Sequence, residues 1–293
     1  MKELMRYSSL DEFLKRAGAA LAKGPLSVVM AEDEVEIDST LRHNLSSGFD
    51  ITILLAPEDV VLADDLQDRV HQVAHDVYAE AALAEAVNRI NEAAPGLWIY
   101  YCYNAEYLFF PFCETRGIRD LLSFQTEERR ESMLTYVIDL YAGDLDRHGN
   151  AVSLETAHMD KSGYYTLARK DEAKNWAPME RQLDFFGGLR LRFEEHMPWA
   201  RRKIDRVSIF KAKKGLKLAA DFTFNEPEMN TFACPWHNNI TAAVCSFRTA
   251  KALRTNPGSR FDIQSFRWHN SVPFEWQSQQ LMDLGLMEPG QWF

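Results

Sequence analysis

Apolar side chains recur along this chain at two spacings, and each change of spacing marks an element. Residues 10–22 repeat apolar positions every three to four residues, with Ser9 placed to cap them, and so predict a first helix. Gly24-Pro25 ends it, and residues 26–30 form a short apolar run with β-branched side chains, a buried strand. The acidic turn Ala31-Glu32-Asp33-Glu34 leads into a helical stretch to about Leu45, which Gly48 closes before a second strand at residues 50–55. Strand, helix and strand within roughly thirty residues make a βαβ unit, hence a parallel sheet with helices on its faces. Residues 64–93, rich in Ala and Glu, read as one long helix stopped by Pro95-Gly96.

The segment Trp98-Ile-Tyr-Tyr-Cys-Tyr-Asn104-Ala-Glu106-Tyr-Leu-Phe-Phe-Pro111 then reads as a single aromatic-rich buried strand. Side chains two apart in a strand share a face, so Asn104 and Glu106 would stand together. Two oxygen-bearing side chains at the mouth of an apolar strand suit a hard cation or a diphosphate. Beyond them the pattern predicts a helix from Gly117 to Glu128 and strands at residues 133–141 and 207–210, with residues 239–253 mixing strand and helix. Residues 144–188 are turn-rich and irregular. The chain contains no internal repeat and no low-complexity linker. The expected organisation is an N-terminal helix (1–24) packed on one α/β domain (25–293), its halves meeting near residue 145.

Composition narrows the classes. Of 293 residues, 46% are hydrophobic, enough for a substantial core. The formal charge of −10 argues against nucleic acid as a partner, since that partner favours a basic footprint. No apolar run nears the roughly 20 residues that span a bilayer, and the N-terminus lacks the apolar core of a signal peptide. A cytoplasmic protein is expected. Four cysteines lack a framework spacing and read as reduced thiols. Cys234-Pro-Trp-His237 pairs a thiol with an imidazole, but no second such pair completes a zinc site.

Taken in order, the landmarks over residues 26–255 resemble the family-2-like branch of glycosyltransferases with the GT-A fold. The resemblance rests on Val29-Met-Ala-Glu32, Gly48-Phe-Asp50, Asn104-Ala-Glu106-Tyr-Leu, Phe185-Phe-Gly-Gly-Leu-Arg190-Leu-Arg192 and the Trp236-His237 neighbourhood. It implies a Rossmann-like, mainly parallel sheet with helices on both faces and an elaborated C-terminal half. It also implies transfer of a sugar from a nucleoside-diphosphate donor to a saccharide or other hydroxyl acceptor. Donor contacts would come from Glu32, Glu58, Gly187, Gly188, Arg190 and Arg192. A divalent Mn²⁺ or Mg²⁺ would be held by Asn104, Glu106 and His237. Asp184, just before the glycine pair, is the candidate base, with Asp160 and Glu226 as alternatives. The basic block from Arg201 to Lys217 would face a phosphate-bearing donor, an anionic acceptor or a membrane surface. Ala31, Ala56-Pro57 and Asn104 stand where the family carries Asn, Asp and Asp. These departures open a second reading, a non-catalytic binding or scaffold protein on the same fold.

Overall fold

Strands whose side chains are apolar on both faces belong inside a sheet covered by helices. The computed structural model describes residues 5–18, 21, 24–234 and 237–292. In it, Leu26–Met30 and Ile51–Ala56 are buried at every position, and Trp98–Tyr103 at every position but its first. The chain divides into two compact units, each gathered from separated segments. Residues 1–107, 115–133 and 207–230 form the first; residues 108–114, 134–206 and 231–293 form the second.

In the first unit the sheet runs in the order Arg6–Tyr7, Val70–Ala74, Ile51–Ala56, Leu26–Met30, Trp98–Tyr103, and then residues 207–211 of the Asp205–Lys211 strand. The first five are parallel. The last runs antiparallel to the Trp98 strand. Helices Leu10–Arg16, Ile37–Ser46, Ala82–Ala93 and Ile118–Glu127 belong to the same unit. Ser9 does cap the first of them, its hydroxyl accepting the Glu12 N–H at 3.2 Å. From Leu26 the chain adds strands outward through Ile51 to Val70. It then returns to lay the Trp98 strand on the other side of the Leu26 strand. The order therefore reverses between the Leu26 and Trp98 strands, where open α/β sheets leave a crevice at their carboxyl ends.

Two expectations for this unit are corrected. Residues 64–93 are not one helix, because Val70–Ala74 is a strand inside that stretch and the helix begins only at Ala82. The Val-His-Gln-Val alternation wins there, since a strand edge was waiting to be paired on both sides. Nor is the aromatic segment a single strand. It is Trp98–Tyr103 and Glu106–Phe109, separated by an Asn104-Ala105 turn in which Ala105 has φ +58°.

In the second unit residues 135–139 of the Ser132–Asp139 strand pair in parallel with Ala242–Ser246. A three-stranded antiparallel sheet takes the order Ser271–Pro273, Ala157–Asp160, Tyr141–Ala142. The expected irregular region instead holds a two-stranded hairpin, Tyr165–Asp171 with Ala177–Phe186. Tyr141, Leu189, Ala250, Leu253 and Phe266 form an apolar cluster there. Among the described residues no helix is long and apolar enough to cross a membrane. The fold is mixed α/β around mostly parallel strands. Met1, Lys2, Glu3 and Leu4 of the expected N-terminus, Ala19, Ala20 and Ala22 of the first expected helix, and Pro235 and Trp236 lie outside the described residues.

Candidate functional site

At the reversal point of the first unit, one side chain bolts two loops together. Asn104 is wholly buried in the turn after the Trp98 strand. Its Oδ1 accepts the Glu32 N–H at 3.0 Å, from the loop after the Leu26 strand. Its Nδ2 donates to the Val35 carbonyl at 2.8 Å, the Asp33 carbonyl at 3.2 Å and Asp33 Oδ1 at 2.6 Å. Asp33 Oδ1 also accepts the Val35 N–H at 2.9 Å, so the acidic loop is fixed from within. The clamp presents Glu32, half-buried, and Asp33, exposed, at the carboxyl end of the sheet. The Tyr78 hydroxyl donates to the Glu32 carbonyl at 3.0 Å, drawing in the segment after Val70–Ala74. Glu58 is exposed after the Ile51 strand, its carbonyl accepting from Arg6 at 3.3 Å.

Glu106 has a different task. Also wholly buried, its Oε2 accepts the Tyr103 N–H at 2.8 Å and closes the turn that carries Asn104. The Ala105 N–H donates to Thr40 Oγ1 at 2.9 Å, tying that turn to the Ile37–Ser46 helix. Asn104 and Glu106 therefore do not share a strand face, which corrects the expected platform. Their polar atoms fit poorly to a cation, because Asn104 Oδ1 already holds a backbone N–H and Glu106 is sealed under the turn. Among the described residues no group of three or more His, Cys, Asp or Glu side chains is arranged to hold a metal ion. The residues named for Mn²⁺ or Mg²⁺ do not fit it.

The remaining candidates lie in the second unit, each with protein partners. Asp184 Oδ1 is met by Arg169 Nε at 2.7 Å and Lys203 Nζ at 3.0 Å. Arg169 also pairs with Asp205 at 2.6 Å, a carboxyl whose pKa burial pushes up. The glycine pair makes room for the chain's own side chains. A Cβ on Gly187 would collide with the Tyr164 ring, and one on Gly188, at φ +64°, would lie 2.9 Å from Asp139 Oδ2. Arg190 donates to the Lys203 carbonyl at 2.7 Å and Thr249 Oγ1 at 3.2 Å, and its Nε lies 3.4 Å from Asp139. Arg192 spans both oxygens of Asp160 at 3.1 Å, donates to the Phe266 carbonyl at 2.7 Å and lies over the Trp268 ring at 4.5 Å. His237 Nδ1 is 3.0 Å from Cys234 Sγ.

The alternative bases are engaged as well. Asp160 is buried and accepts from the Tyr141 hydroxyl at 2.6 Å and Trp268 Nε1 at 2.8 Å, besides Arg192. Glu226, in the first unit, pairs with Lys213 at 2.7 Å. It lines a cavity of about 370 Å³ with Arg129, Arg130, Ser132 and Lys211, all residues of the first unit. That cavity holds none of the donor candidates.

Asp33 and Asp139 were not among the expected site residues. Asp33 sat in a recognised acidic turn, and its role depended on a partner 71 residues away. Asp139, an acid inside an apolar strand, was the visible signal for the second; burial pushes its pKa up. Comparison with protein-family models gives no match, and comparison with curated proteins gives none either.

Proposed function

We propose that this chain is a glycosyltransferase-like protein that takes the nucleoside end of a nucleotide-sugar donor at the reversal point of its first unit. One observation carries the reading: the Asn104 clamp, which holds the loops after two adjacent parallel strands together at their carboxyl ends and sets Glu32 and Asp33 there. Ligands of open α/β sheets collect at such points, and an acidic side chain there suits ribose hydroxyls. Carboxylates accept hydrogen bonds from hydroxyls and amino groups, so the nucleoside fits this edge better than the phosphates do. No step is routed through a metal, because the residues named for one are committed to the turn.

The test is calorimetry of the full chain with uridine and guanosine diphosphates, with and without Mn²⁺. Saturable binding to one of them is expected, little changed by Mn²⁺ and weakened about tenfold or more by Glu32→Gln or Asp33→Asn, the loss of one charged hydrogen bond. Release of nucleoside diphosphate from a panel of nucleotide sugars then separates an enzyme from a binding protein. The second reading, a non-catalytic protein on this fold, is favoured by the full commitment of Asn104 and Glu106 to structure. It predicts binding without release. A flat response across the panel by folded protein refutes the nucleotide site itself.

A further inference from the structure

All four cysteines are thiols, and their surroundings set one apart. Cys102 and Cys245 are wholly buried. Cys113 is half-buried, and desolvation by burial leads the causes that push its thiol up to about 11. Cys234 differs in having a base built against it. Cys234 and His237 are flanked by the antiparallel Ala233–Asn238 bridge. The Cys234 N–H donates to the His237 carbonyl at 3.1 Å. Its Sγ lies 3.0 Å from Nδ1 of His237 and 3.3 Å from the His237 carbonyl. Both residues are half-buried, unlike the wholly buried Cys102 and Cys245.

We propose that Cys234 is a modification site for soft carbon electrophiles, with His237 as its resident proton acceptor. The pair supplies only two of the roughly four ligands that a structural zinc needs, whereas a nucleophile and a base at hydrogen-bond distance suffice for thiol substitution. With iodoacetamide as the probe, an Sγ–C bond forms as the C–I bond breaks. Iodide leaves, and the thiol proton passes to Nδ1, from which the imidazolium returns it to solvent. The inference stands apart from the nucleotide reading and needs no donor or acceptor.

The experiment treats the full chain with limiting iodoacetamide and follows each cysteine peptide by mass spectrometry over time. Cys234 is expected to react about tenfold or more faster than Cys113, since a positioned base contributes roughly that much or more. Cys102 and Cys245 should stay unlabelled until the chain is denatured. His237→Ala and His237→Gln should both slow Cys234, with the Cys113 rate and the far-UV circular dichroism unchanged. Glutamine preserves a polar side chain at position 237, which separates loss of the base from loss of local structure. Labelling of Cys234 no faster than Cys113 overturns the proposal. So does an unchanged rate in the glutamine variant, whatever the alanine variant does.

Discussion

Asn104 shows how much one side chain's meaning depends on backbone period. Its type and its neighbour Glu106 marked the segment as special in the sequence, and that much was legible. The role was not, because a positive-φ turn at Ala105 breaks the two-residue alternation on which the shared face depended. In its place stands an amide that uses both donor and acceptor, which explains why an amide and not a carboxylate serves there. Asn104→Ala is expected to cost about 2 kcal/mol, from buried loop groups left without partners. Asn104→Asp should cost about 3 kcal/mol, because a carboxylate cannot donate to the Val35 and Asp33 carbonyls and sets a second charge against Asp33. Urea denaturation of the three proteins measures both, and an aspartate variant as stable as wild type would contradict the clamp.

Elements were legible where local pattern and packing agree. The Leu26 and Ile51 strands, the start of the Trp98 strand and the Ile37–Ser46 helix stand close to where apolar runs and glycine stops put them. The Val70–Ala74 strand was hidden by the helix propensity of the Ala- and Glu-rich residues that follow it; long-range pairing decided it. The hairpin at residues 165–186 was hidden for the opposite reason, since most of its positions are exposed and carry no apolar period. The Gly187-Gly188 turn was legible as a turn, while its purpose was set by Tyr164 and Asp139. Gly188→Ala, at φ +64° and ψ −153°, should destabilise by about 2 kcal/mol, read as a lower denaturation midpoint. In the adjoining network, Tyr141→Phe removes the hydroxyl that contacts both Asp160 and Ser271 at 2.6 Å. Its cost should be about 1–2 kcal/mol. Arg192→Lys keeps the charge but loses the fork that reaches Asp160 and the Phe266 carbonyl together. It should cost more than Tyr141→Phe, and equal costs would mean that the guanidinium geometry is idle.

On the scale of the whole chain, the division into two units built from interleaved segments left no mark in composition, since each unit joins segments that are separated in sequence. What does sum over the molecule is proton linkage, and its signs oppose. Burial lowers the pKa of His71, whose ring is held by the Tyr7 hydroxyl at 3.0 Å, and desolvation leads the causes that lower that of His75. A base depressed in the folded state contributes stability above its unfolded pKa of about 6.5 and loses it as pH falls through that value. Burial raises the pKa of Asp139 and Asp205, so their contributions are full below an unfolded value of about 3.9 and fade as pH rises through the folded ones. A single pH profile therefore mixes the two sets. Comparing wild type with His71→Gln separates them, because the carboxyls are common to both proteins and glutamine keeps a hydrogen-bond partner for Tyr7. Between about pH 7.5 and 5.5 the wild type should lose more stability than the variant. The difference should stay below about 1 kcal/mol, since the ring is only part-buried and solvent screens it. Parallel urea-denaturation profiles for the two proteins over that window would show that the His71 ring takes up its proton equally well folded and unfolded, against the burial seen here.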